Sequence, residues 1–114
     1  MADVTLYGLK SCDTCKKAIK ALEAVGHSVT YIDVRADGVP SDLLEGWLAE
    51  HGEALINTRS TTWRGLDEDQ RLQAQTDPVT LLGLNPTLIK RPVIVNDGVV
   101  TVGWSKAVQA GFGI

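Results

Sequence analysis

Residues 3–35 read as strand, helix, strand, and few folds accommodate that order at this length. In "DVTLYGL", Val4, Leu6 and the Gly8 backbone alternate with polar or amphipathic neighbours, the period of a half-buried strand. Cys15, Ala18, Ile19, Leu22 and Val25 then recur at three- and four-residue steps, while Lys16, Lys17, Lys20 and Glu23 take the other face. Gly26 stands where a left-handed residue would end a helix of about three turns. "SVTYIDVR" returns to β-branched and aromatic residues and predicts a second strand. Together these segments predict a βαβ unit, its strands parallel and its crossover right-handed.

The centre changes character. "SDLLEGWLAEHG" offers Ser41 as an N-cap, Leu43, Leu44, Trp47 and Leu48 as an apolar face, and Gly52 just past the end. "LDEDQRLQAQ" is a weaker helix; "DPVTLLGL" begins with Asp77 as cap and Pro78 at the first helical position, and "NPTLI" repeats that signal over one turn. These segments predict a helical insertion over about residues 38–89. "RPVIVNDGVVTVGW" then holds two β-branched runs around Asp97-Gly98, a strong hairpin signal, and "SKAVQAGF" supplies a last helix. The order βαβ, helical insertion, ββα predicts an α/β protein of thioredoxin-like fold, a four-stranded mixed sheet within one domain of 114 residues. No repeat, low-complexity tract or linker interrupts it.

With 44% apolar residues, a chain of this size builds a core without disulfide staples, so its two cysteines are not needed for that purpose. A net charge of −3 and a pI near 5.2 give no general attraction for nucleic acid. No stretch has the pattern of a secretory signal or the length of a membrane span, which makes the cytoplasm the expected compartment. There a lone Cys-x-x-Cys is read as catalytic or metal-binding. In the predicted fold the loop after the first strand feeds directly into the first helix. Cys12 therefore falls at a helix N-terminus, where unpaired N–H groups and the dipole favour a thiolate. Lys10, Lys16 and Lys17 add positive charge nearby, and Asp13 partly opposes them. Cys15, one turn further along the apolar face, is spaced to resolve a mixed disulfide formed on Cys12. Two other readings stand beside this redox one. The cysteines can be inert buried thiols, or they can supply half of a zinc site that needs two further ligands. His27 and His51, the chain's histidines, each lie beside a helix-ending glycine and are read as solvated surface, so no metal is expected.

"YGLKSCDTCKKA", "INTRSTTWR", "IKRPVIV" and "VGWS", in that order, resemble the arsenate reductase ArsC/Spx family, most closely its YffB-like branch. The resemblance runs from Leu6 to the final helix. It implies a thioredoxin-like fold with a helical insertion, Cys12 as nucleophile, Arg59 as an anion-binding arginine, and Arg91 as the arginine before a cis-proline, Pro92. Guanidinium groups are suited to that task because they are always charged and donate in a bidentate fork. Arg64 in "TWRG" is a further candidate. Arsenate-reducing members carry another arginine near the start of the last helix, where this chain has "TVGWSKAV". Trp104 there would offer an apolar wall to a thiol or glutathione adduct rather than a ligand for bare arsenate. The resemblance thus implies a thiol-dependent oxidoreductase, arsenate reductase-like, with no bound cofactor and with glutathione as co-substrate. A small thiol or an oxyanion is the expected partner, a monomer the expected state, and no direct binding to nucleic acid or membrane is expected. The Spx-like branch implies an alternative, a redox switch in which a Cys12–Cys15 disulfide controls binding to RNA polymerase or another protein. Trp47, Trp63 and Trp104 remain open as core, pocket or contact residues.

Overall fold

A computed structural model describes residues 2–114 and divides the chain into two compact units, one formed by residues up to Val34 together with Arg91–Ile114, the other by Arg35–Lys90. In the first unit, β1 (Asp3–Gly8), α1 (Asp13–Ala24) and β2 (Ser28–Asp33) form the predicted βαβ element. β3 (Val93–Asn96), β4 (Val99–Val102) and α7 (Lys106–Gly111) complete it. The strands lie in the order β2-β1-β3-β4, with β1 parallel to β2 and antiparallel to β3, and β3 antiparallel to β4. This is the mixed sheet of a thioredoxin-like fold. Val4, Leu6 and Ile94 of the sheet, Cys15, Ala18 and Leu22 of α1, and Phe112 form one buried cluster. The α1 residues repeat at the spacing of one helical face, which is why that face turns inward.

Local chemistry explains the element ends. Gly26, at φ 95°, takes the left-handed position after α1; its N–H bonds to Glu23 O, and the His27 N–H reaches back to Leu22 O at 3.0 Å. These two bonds satisfy carbonyls that the helix end would leave open. Val25 lies beyond the helix and is 41% exposed, so it does not belong to the buried face expected from the periodicity. Asp97 and Gly98 both have positive φ, 49° and 81°, the geometry of a two-residue turn that matches strand twist. β2 is shorter than its composition predicts, because Val34 and Arg35 begin a short helix, α2 (Val34–Asp37).

The second unit is helical: α3 (Ser41–His51), α4 (Thr61–Arg64), α5 (Glu68–Thr76) and α6 (Pro78–Leu84), with 3₁₀ turns at Gly52–Leu55 and Pro86–Leu88. α3 packs on α6, burying Leu44 and Trp47 on one side and Leu81 and Leu82 on the other. The N-cap of α3 is Pro40 rather than Ser41, which is already helical. Proline has a fixed φ suited to the entry into a helix, so the serine signal is displaced by one residue. Asp77 does cap α6, accepting from the Thr80 N–H at 3.4 Å, and Asp67 and Gln70 form a reciprocal capping box at α5.

His27 corrects an expectation. Instead of facing solvent, its Nδ1 accepts from the Ala2 N–H at 3.1 Å and its Nε2 donates to Phe112 O at 2.9 Å. Its ring also meets Phe112 edge-on, at a centroid distance of 5.8 Å. With Nδ1 accepting and Nε2 donating, the imidazole ties the segment before β1 to the segment after α7. His51, in the second unit, is half-buried and lies 3.1 Å from Glu50.

Candidate active site

The loop between β1 and α1 is short and well bonded. The Cys12 N–H bonds to Leu9 O, and Cys12 O accepts the Lys16 N–H, the first bond of the helix, both at 3.1 Å. Cys12 is itself the N-cap residue, at φ −86° and ψ 111°, and is half-buried; Cys15, three residues on, is 1% exposed. Both thiols are free. Space around the inner one is closed by Gly8, where an added Cβ would stand 2.6 Å from the Cys15 sulfur. A glycine ends β1 because the sulfur occupies the place of a side chain.

The two thiols are driven apart in acidity. Burial pushes Cys12 up, but hydrogen bonds from the Cys15 thiol and backbone, with a hydrogen bond and the positive charge of Arg91, more than offset it and leave Cys12 below its ordinary value. Cys15 is pushed up to about 12, first by burial, then by donating its proton toward Cys12 and by the neighbouring sulfur's charge. Of the two thiols, Cys12 is the one whose deprotonated form its surroundings favour, and Cys15 the one whose proton they retain.

Arg91 reaches Cys12 from the start of the second strand pair, where the Arg91–Pro92 peptide bond is cis. Pro92 is buried, and its carbonyl accepts the Gly103 N–H at 2.9 Å, which fixes the residue before Trp104. Trp104 is half-buried, packs against the core cluster alongside Cys12, and stacks with Phe112 at 6.5 Å and 27°. Lys10 is exposed within the loop. Cys12, Cys15, Lys10, Arg91, Pro92 and Trp104 therefore all belong to the first unit. Arg59 belongs to the second, exposed on a turn in which its N–H bonds to the Asn57 side chain at 3.1 Å. Arg64 is exposed at the end of α4. Its carbonyl, like that of Trp63, accepts from Arg71, whose guanidinium also lies 6.0 Å from the Trp63 ring centroid. Trp47 is a core residue, 3% exposed.

Two neighbours of the thiols escaped the sequence reading. Asp33 Oδ2 accepts both the Lys10 N–H at 3.2 Å and the Tyr31 hydroxyl at 3.4 Å, so it braces the loop that carries Cys12. Tyr31 packs against the same core cluster and is pushed up to about 12, first by burial, then by the charge of Asp33 and of the two cysteines and by its bond to Asp33. The signal was the parallel pairing of β1 with β2, which sets Asp33 opposite Gly8 just before the loop. Among the described residues no group of three or more His, Cys, Asp or Glu is placed to hold a metal ion, and no helix is long and apolar enough to cross a membrane.

Known proteins resemble this chain over most of its length. The ArsC family model matches residues 7–112. An uncharacterised protein of Haemophilus influenzae is 42% identical over 114 residues, covering 96% of this chain and 98% of its own. The global transcriptional regulator Spx of Streptococcus pyogenes is 32% identical over 108 residues, 90% of this chain and 79% of that one. Among solved structures, the YffB protein superposes with a TM-score of 0.87 at 35% identity, covering 95% of this chain and 96% of its own.

Proposed function

The chain belongs to the ArsC family, and we infer that it is a thiol-dependent oxidoreductase with Cys12 as nucleophile. The observation that carries this reading is the opposed acidity of the two thiols, with Arg91 beside the more acidic one. On a disulfide substrate, the Cys12 thiolate attacks one sulfur, the Cys12–substrate S–S bond forms, the original bond breaks, and the leaving thiolate takes a proton from water. Cys15 then gives up its proton and attacks the Cys12 sulfur, releasing the second thiol. The substrate gains two electrons and the cysteine pair loses them. Glutathione, a monothiol, would restore the pair in two exchange steps and leave as its disulfide.

Arg91 has a double role in this reading: it stabilises the thiolate, and it can grip a carboxylate or oxyanion on the substrate through its fork of donors. Lys10 adds charge at the mouth, Pro92 bounds the sulfur side, and Trp104 gives an apolar wall. Arg59, in the second unit, is the anion-binding arginine that the family resemblance implies. The protein works in the cytoplasm, where reducing thiols are abundant.

Replacing Cys12 with Ser tests the reading: thiol–disulfide exchange with glutathione should stop, while Cys15→Ser should still form the mixed disulfide but not resolve it internally. Arg91→Met should lower the rate at which Cys12 is alkylated at neutral pH. Unchanged exchange in the Cys12 variant would refute the assignment. The relation to Spx favours a second reading, in which the Cys12–Cys15 disulfide switches a protein-binding surface, RNA polymerase being the partner that the resemblance implies. It predicts partner capture that depends on oxidation, with little turnover.

A further inference from the structure

The lysines around α1 are more numerous than the thiol chemistry requires. Between residues 10 and 20, Lys10, Lys16, Lys17 and Lys20 face Asp13 alone, a local charge of +3 in a chain whose net charge is −3. All four are exposed, and none is ion-paired to a carboxylate among the described residues. Lys16, Lys17 and Lys20, with Asp13 and the half-buried Ile19, line a shallow depression of about 420 Å³ on the outer side of the helix.

Its dimensions bear on what it can bind. Lys20 lies eight residues from Cys12, about 12 Å along the helix axis, well beyond the reach of a tetrahedral oxyanion on the sulfur. Lys16 and Lys20 are separated by about 6 Å along that axis. In an extended peptide, side chains on one face repeat at about 6.6 Å. An extended strand running along α1 can therefore set alternate carboxylates against successive lysines while Ile19 supports its apolar stems.

We propose that the outer face of α1 is a docking track for an acidic extended peptide segment that presents an oxidised cysteine to Cys12, so that the substrate class is protein disulfides flanked by Asp or Glu at alternate positions. The inference rests on Cys12 being the reactive thiol. The exchange step is the one written above: the peptide's disulfide is reduced to two thiols, and the Cys12–Cys15 pair is oxidised. The lysines take no part in bond making; they raise the encounter rate and hold the register.

The test uses the whole protein and three synthetic peptides, each carrying one cysteine as a mixed disulfide with 2-mercaptoethanol and flanked at alternate positions by Glu, Gln or Lys. Formation of the Cys12 adduct is followed by mass spectrometry, with glutathione disulfide as a small anionic comparison and iodoacetamide alkylation as a measure of the thiol itself. The Glu peptide should react about tenfold faster than the Gln peptide at low ionic strength. That ratio should collapse in half-molar salt and invert in K16E/K20E. Equal rates for the Glu and Gln peptides, or a ratio that survives charge reversal, would overturn the track. So would a gain with glutathione disulfide as large as that with the Glu peptide, since that ligand is too short to follow the helix. Absence of an adduct with every substrate, together with slow alkylation, would instead overturn the reactive-thiol reading, and the track with it.

Discussion

Gly8→Ala is the substitution whose effect the geometry defines most sharply. The new methyl carbon would stand 2.6 Å from the Cys15 sulfur, 3.2 Å from the Cys15 Cβ and 3.3 Å from Leu6 Cδ2. Ordinary carbon contacts begin near 3.5 Å, so the sulfur would have to retreat by about 1 Å. It has nowhere easy to go, because Cys15 and Leu6 are at most 1% exposed and belong to the same core cluster. Overpacking of this kind costs about 1–3 kcal/mol. In a Cys15→Ala background the sulfur is absent and only the milder contacts remain, so the same substitution should cost less than about 1 kcal/mol there. Urea unfolding of the four proteins in this cycle reads both values, and iodoacetamide labelling shows whether the loop carrying Cys12 shifts as well. An equal loss of stability in both backgrounds would refute the account, because the penalty would then come from the strand rather than from the sulfur. No loss at all would show that α1 yields freely.

Two other outcomes follow from the charges and hydrogen bonds. Cys15 and Tyr31, both raised to about 12, hold their protons in the folded state at pH values where the unfolded chain has released them. Their contribution to stability is therefore complete below the ordinary thiol value of about 8.5 and declines as pH climbs toward 12, whereas the lowered Cys12 contributes above the ordinary value and loses that on acidification. Urea midpoints between pH 7 and 11 should fall, less steeply in Cys15→Ala; a flat profile would count against the buried thiol. His27→Ala strands the Ala2 N–H and the Phe112 carbonyl and should cost about 1–3 kcal/mol, with faster hydrogen exchange at the amides near both ends; unaltered exchange would show that the imidazole is not the tie described.

Periodicity made β1, α1 and the Asp97-Gly98 hairpin legible, since each depends on neighbours close in sequence. The element ends were harder. Ser41 was an adequate cap on composition, yet Pro40 fills the position, and Val34 leaves the strand because a short helix starts there. Spacing and pattern did place Cys12 at the start of α1 and Cys15 on its buried face. The place of Arg91 beside Cys12 did not follow from spacing, because 79 residues separate them; only the family resemblance named it. His27 was misread for the same reason, since its partners lie 25 and 85 residues away. Asp33 was overlooked because its carboxylate serves a backbone N–H, a contact that no side-chain motif encodes.

The central strand β1 pairs on one side with β2 and on the other with β3, and the second pairing waits until the chain has passed through the whole helical unit. On a translating ribosome, at 5–20 residues per second, the interval between Val34 and Val93 is about 3–12 s. A nascent chain therefore exposes one flank of this inner strand, and carries a cysteine not yet in reach of its guanidinium, throughout that interval. The cysteine emerges early, and the arginine that favours its thiolate follows 79 residues later.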